Sequence, residues 1–297
     1  MLECVIAVTF LVQDLRVTVE AYGEYLGYTL IEKSTVSPAM AETWNTPAMT
    51  GRPFVTLKPE SGASFFLRFI QGDPVEGYAP LTTDGWNATE LLTQDPDHMV
   101  EVLQGSPFEI IGHPYDLSSD GSVRAMQVKG PSGEILYLTR IKGERTSVYG
   151  AAQSLVDRAF ILVVGSRDYD ALIKFYGETL GHKIRRFGKT KITVLSKALG
   201  LDPESTLYEL RLAELGNQFN LELDHYPIQM KPRPRRDGEL PPGMSMVSFG
   251  VTDINGMGLD FDRPIKQLNG GIYQGADVVV AVGTSGEWME FVQKSCE

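Results

Sequence analysis

The chain has 297 residues, 42% of them hydrophobic, enough to bury two ordinary cores. A net charge of −11 argues against a phosphate-binding basic face and so against nucleic acid; the one basic cluster, KPRPRR at 231–236, reads as a solvated loop. No apolar stretch approaches the roughly 20 residues of a membrane span, and the N-terminus runs into a strand rather than a signal peptide.

In chain order, an apolar run at 5–12 predicts a strand, and Asp14 opens a helix over 15–26 that Gly27 closes. Strands are expected at 28–34, 54–57 and 64–71. The same order of strand, helix and three strands recurs at 86–93, 96–103 (after the N-cap candidate Asp95), 108–115, 123–129 and 134–141. Residues 143–153 are small, polar and pattern-poor, and mark a boundary. A third pass gives a strand at 160–164, a helix at 168–180, and strands at 182–187, 207–213 and 218–225. The loop at 226–243 carries five prolines and is either a functional lid or a mobile segment. The fourth pass gives 245–251, a short helix after Asp253, then strands at 271–274, 278–282 and 287–293. Cys4 and Cys296 lack any framework spacing and read as reduced thiols of a cytoplasmic protein.

Two segment pairs reveal a duplication. DLRVTVEAYGEYLG at 14–27 matches DYDALIKFYGETLG at 168–181, an offset of 154 that aligns Asp14 with Asp168 and Tyr22 with Tyr176. GPSGEILYL at 130–138 matches GTSGEWMEF at 283–291, an offset of 153. A period of half the chain is too long for a solenoid and predicts two homologous domains, residues 1–145 and 154–297.

An Asp-led helix ending FYGETLG and a GxSGE turn before the last strand resemble the vicinal oxygen chelate superfamily, which includes glyoxalase I, bleomycin-resistance proteins and extradiol dioxygenases. The resemblance covers nearly the whole chain. It implies an α+β fold of tandem glyoxalase-like domains, each of two βαβββ units forming a half-open barrel with the ligand on its concave face. Fold does not carry function by itself.

The resemblance also implies four metal-ligand places per domain, on each unit's first strand (usually His) and last strand (usually Glu). They fall on Ala7, Arg68, Ala88 and Tyr137 in the first domain, and on residues 158–161, Glu222, Met246 and Glu290 in the second. Alanine and arginine cannot ligate a metal, and both second-domain histidines are missing. Two carboxylates with waters hold Mg²⁺ or Mn²⁺ only weakly, whereas Zn²⁺ and catalytic Fe²⁺ sites normally use imidazole as well. No tightly bound metal cofactor is therefore expected.

Glu290 and Glu222 are the expected catalytic pair, one of them carrying a raised pKa and shuttling a proton. Along 219–224, Asn220, Glu222 and Asp224 share a polar face that meets either solvent or a cavity. Arg68, among apolar neighbours, either pairs with a carboxylate of the protein or reads an anionic substrate. Tyr137 supplies a hydroxyl, and Met246 and His225 complete the expected ligand contacts. His98 and His182 read as surface or satisfied side chains. The functional alternatives are an isomerase, lyase or dioxygenase relative acting on an oxygen-rich or aromatic molecule, and a non-catalytic binding protein of the bleomycin-resistance kind. Expected partners are a small molecule, with no nucleic acid and no membrane; a homodimer is compatible. As a cavity-lining change, Glu290→Gln is expected to alter stability by less than about 1 kcal/mol.

Overall fold

A computed structural model describes residues 2–296. Its elements follow the fourfold pattern. The first unit comprises β1 (Cys4–Val12), α1 (Leu15–Leu26), β2 (Tyr28–Thr35), α2 (Pro38–Trp44), β3 (Pro53–Pro59) and β4 (Phe66–Gln71). The second comprises β5 (Gly85–Thr93), α3 (Pro96–Val102), β6 (Glu109–Asp116), β7 (Val123–Lys129) and β8 (Ile135–Ile141). The connecting stretch, expected to be irregular, contains the helical turn α4 (Thr146–Tyr149). The third unit comprises β9 (Val156–Ser166), α5 (Tyr169–Lys174), β10 (Lys183–Thr190), α6 (Thr193–Ala198), β11 (Tyr208–Glu214) and β12 (Asn220–His225). The fourth comprises β13 (Gly243–Val251), β14 (Lys266–Gln267), β15 (Asp277–Val282) and β16 (Trp288–Gln293).

The predicted caps form. Asp14 accepts from the amides of Arg16 and Val17, Asp168 from that of Ala171, and Gly27 closes α1 in the left-handed region at φ 71°. The helix begun by α5 ends in a π-helical turn, Phe175–Thr179, where α1 stays regular. Two helices lie outside the sequence expectation, α2 and α6. They occupy the same place in the repeat, and α2 carries its own start signals: Ser37 caps it and Pro38 opens it. Unit four departs furthest. The helix after Asp253 is a single 3-10 turn, Asn255–Met257. The expected strand at 271–274 is a turn, because Gly270, Gly271, Gln274 and Gly275 all have positive φ.

Sheet topology corrects the expected pairing of units. One sheet runs β14-β15-β16-β13-β1-β4-β3-β2, and the other β10-β11-β12-β9-β5-β8-β7-β6. Unit one therefore pairs with unit four through β1 and β13, and unit two with unit three through β5 and β9. Each sheet draws on both halves of the sequence rather than on one. Neither sheet closes into a barrel: β14, β2, β10 and β6 are free edges. The joining strands β1, β5 and β13 are buried along their whole length, which is why the seams lie there.

The repeated sequence signals tie each half together across the two sheets. Tyr22 of α1 donates to Glu134 Oε1 at 3.1 Å, and Tyr176 donates to Glu287 Oε1 at 3.2 Å. The other oxygen of each carboxylate accepts its own turn's amide, from Ser132 at 3.0 Å and Ser285 at 2.8 Å. The carboxylate folds back over the first glycine of the turn so closely that a Cβ at Gly130 or Gly283 would lie 2.1 Å from it. The GxSGE motif is thus a glycine-dependent cradle for a buried acid.

The same topology corrects the expectation of two free thiols. β1 and the segment after β16 both flank β13, so Cys4 and Cys296 meet over Gly250 and form a disulfide 292 residues apart in sequence. Among the described residues no helix is long and apolar enough to cross a membrane. Thiol titration of the protein denatured without reductant should find no free cysteine, and reduction should lower stability by about 2–4 kcal/mol. Two reactive thiols before reduction would contradict the link.

Candidate functional site

Each unit's first strand lies parallel to its last, and the register sets the facing pairs: Thr9 with Arg68, Glu90 with Tyr137, Val163 with Glu222, and Ser248 with Glu290. The four equivalent places are therefore Thr9, Arg68, Ser248 and Glu290 in one sheet, and Glu90, Tyr137, Val163 and Glu222 in the other. The expected Ala7, Ala88, 158–161 and Met246 fall two or more residues early on the first strands. A slip of two keeps the face and changes the residue. Met246 itself is buried in the core. Glu222 and Glu290, expected as one pair, stand on different sheets, because units three and four do not pair with each other.

In the first of these sheets the polar groups are paired with one another, beside a cavity of about 100 Å³ that Arg68 and Tyr273 help to line. Arg68 and Glu290 form an ion pair at 3.1 Å with side chains 1% and 0% exposed. Trp44 Nε1 donates to Glu290 Oε1 at 2.7 Å and Tyr273 at 2.8 Å, while Ser248 donates to Oε2. Arg68 also donates to Thr9 at 2.9 Å and to the Tyr273 oxygen, and its guanidinium lies 4.9 Å from the Trp44 ring. Burial works against the Arg68 charge, but Tyr273 and Glu290 outweigh it and hold its pKa above the ordinary value. Both oxygens of Glu290 are saturated and a guanidinium stands among the ligand places, so these residues do not fit a metal ion. Arg68 takes the first of its two expected roles, partner to a carboxylate of the protein.

In the second sheet the place is open. Glu90, Tyr137 and Glu222 line a cavity of about 110 Å³, closed on one side by Val194 of α6, with Phe187, 61% exposed, at its rim. The repeat offset of 154 carries Trp44 onto Ala198, so no indole reaches in from α6. Thr139 donates to Glu90 Oε1 at 2.6 Å, yet burial pushes the Glu90 pKa up to about 7. Glu222 is raised well above the usual carboxylate range by burial, then by Asp224 and Glu90; Asp224 is raised by burial. Asp224 Oδ1 is buried with no hydrogen-bond partner. Glu222 and Asp224 lie two residues apart on one face of β12. Tyr137 is raised by burial and then by these two acids.

This donor set also does not fit a tight metal site. It contains no imidazole, and among the described residues no group of three or more His, Cys, Asp or Glu is placed to hold an ion. His225 points to the helix side of β12, its ring stacked 5.0 Å from Tyr169. His182 is satisfied, accepting from the Leu2 amide and meeting the Glu214 carbonyl. Sequence reasoning missed Glu90, although it is the only charged residue in β5. It also missed Trp44 and Tyr273, which reach Glu290 from α2 and from the turn after β14.

No family model and no curated protein matches the sequence. Solved structures do. Glyoxalase I from Zea mays is 17% identical, with 97% of this chain and 91% of that chain covered at a TM-score of 0.62. A candidate dioxygenase from Bacillus subtilis is 11% identical, with 98% and 85% covered at a TM-score of 0.64. The chain therefore has the fold of the vicinal oxygen chelate superfamily.

Two stability measurements probe the sites. Arg68→Met leaves a buried carboxylate unpaired and should cost about 3–5 kcal/mol in chemical denaturation; a loss under about 1 kcal/mol would show the network to be unimportant. Glu290→Gln should likewise exceed the small loss expected from sequence. Glu90 favours its neutral form in the fold, so its contribution is full below about pH 4.5 and is lost as pH rises through 7. Glu90→Gln should remove up to about 3 kcal/mol of the stability lost between pH 5 and pH 8. An unchanged slope would place the titration elsewhere.

Proposed function

We propose that the cavity over Glu222 binds a small oxygen-rich or aromatic molecule, and that the Glu222–Asp224 pair moves a proton on it without a tightly bound metal. The observation that carries this reading is an acid pair beside a cavity: Glu222 lines it, and Asp224, two residues along the same strand, has a buried oxygen with no hydrogen-bond partner. A cavity of about 110 Å³ suits a ligand of roughly one ring, since a cavity of about 150 Å³ takes benzene. Glu222 would take a proton from a carbon beside a carbonyl, Asp224 would hold the second proton of the pair, and neutral Glu90 or Tyr137 would donate to the oxygen that gains charge. Return of the proton gives an enolisation or epimerisation.

A second reading, binding without turnover, is favoured by the same raised pKa values, which keep the pair from acting as a strong base at neutral pH. Either reading needs only one chain, because both sheets are complete within it. The setting is proposed to be cytoplasmic, with Cys4–Cys296 closing only where the redox poise allows it.

The test is proton exchange in D₂O, followed by NMR, over a panel of small α-oxygenated ketones, aryl α-keto acids and catechols. Catalysis predicts deuterium uptake by at least one of them, reduced on the order of 100-fold by Glu222→Gln, while the ligand-induced rise in Tm persists. A Tm rise with no exchange supports the binding reading. Neither effect across the panel would remove the cavity as the site.

A further inference from the structure

A larger cavity, of about 710 Å³, shares no lining residue with the one over Glu222. It lies between the β15–β16 hairpin, the segment after β9, and the proline-rich loop at 226–243. That loop is anchored to the neighbouring strands rather than free. Lys231 bridges Thr83 in parallel, its amide donating to the Thr82 carbonyl at 3.1 Å and its carbonyl accepting from the Asp84 amide at 2.9 Å. Arg233 is inserted beneath it and donates to Thr83 Oγ1 at 3.0 Å, to the Met244 carbonyl at 2.8 Å and to the Trp86 carbonyl. The basic cluster is therefore anchored inward through Arg233, whereas Lys231, Arg235 and Arg236 are exposed, as the reading of a solvated loop expects.

The cavity is rich in cation. Four arginines line it, 167, 233, 235 and 263, against two aspartates, in a chain of net charge −11. Both aspartates are already engaged. Asp84 holds Arg167 at 2.8 Å, and Asp168 caps α5. Arg233 is held by carbonyls and a hydroxyl, with no carboxylate in contact among the described residues. Arg235 and Arg263 stand over the ring of Trp288, at 5.1 and 5.0 Å. Burial, and further the nearby Arg235, lower the Arg263 pKa against the pull of Asp262. Two guanidinium groups gathered on one ring repel each other, and an anion between them would relieve that repulsion.

Two buried donors point the same way. Arg263 is 11% exposed, and its Nε has no hydrogen-bond partner; Asp262, the nearest carboxylate, is 3.6 Å away and 78% exposed. Ser285 Oγ is also buried without a partner. Its repeat mate Ser132 sits in the same GxSGE turn, and there the hydroxyl accepts from the Gln13 amide at 3.2 Å. Unanswered buried donors are costly, and each needs an acceptor.

We propose that this cavity binds a multiply charged oxyanion, the phosphate or carboxylate groups of a small molecule, gripped by Arg235 and Arg263 with Ser285 Oγ donating to the same group. Guanidinium forks suit such oxygens, and the anion would compensate the buried charge of Arg233.

The experiment is calorimetric titration of the full-length protein with inorganic pyrophosphate and, separately, citrate, at constant ionic strength set with NaCl. Saturable binding is expected for at least one, weakened on the order of tenfold in Arg263→Gln and in Ser285→Ala. Pyrophosphate alone would identify a phosphorylated ligand, citrate alone a polycarboxylate; either supports the site. Ser285→Ala removes one oxygen and keeps the test available if Arg263→Gln does not fold. Absence of saturable binding by both anions, or equal affinity in the wild type and Ser285→Ala, would overturn the proposal.

Discussion

Two buried phenol–carboxylate hydrogen bonds, Tyr22 to Glu134 and Tyr176 to Glu287, hold the rest of the architecture in place. All four side chains are at most 3% exposed. Burying an acid is costly, and here burial raises the pKa of both glutamates, Glu287 to about 7. The phenol and the turn amides offset that cost. The bonds join unit one to two and unit three to four, whereas the sheets join one to four and two to three. Neither half of the sequence can leave without breaking a sheet seam, and neither sheet can separate without breaking a phenol–carboxylate pair. The disulfide between Cys4 and Cys296 fastens the same interlock at the chain ends.

Within this frame one ancestral set of positions has taken two forms. In the sheet of units one and four, Arg68, Glu290, Tyr273 and Trp44 hydrogen-bond or ion-pair with one another beneath a cavity of about 100 Å³. In the sheet of units two and three the acids outnumber the donors. Glu90 has Thr139, Asp224 Oδ1 has no partner, and a cavity lies over Glu90 and Glu222. The difference is one of hydrogen-bond accounting: a saturated network is structural, and an unsaturated one holds protons or ligands. The same accounting separates Arg233, clamped by carbonyls, from Arg263, whose Nε is left over.

The local chemistry was legible in the sequence because it is carried by neighbours along the chain. Asp14, Asp168 and Gly27 mark helix ends through hydrogen bonds and φ angles a few residues apart. Strand faces follow from alternation, so Glu222 and Asp224 could be assigned to one face, and the duplication could be read from the Tyr and GxSGE signals. Alternation has a period of two, however, and cannot choose between Ala88 and Glu90. That choice depends on the register with β8.

Four repeated units, their order and a polar strand face carrying Glu222 were legible along the chain. Only the tertiary structure decided which units pair, and that decision separated Glu222 from Glu290, gave Arg68 its partner from the other half, and brought Cys4 to Cys296. The reason is physical. β1 can present its apolar edge to β5 or to β13 with the same residue types, so composition along the strand does not distinguish them. The tyrosine–glutamate contacts that accompany this pairing join residues more than 100 positions apart, beyond the reach of local pattern.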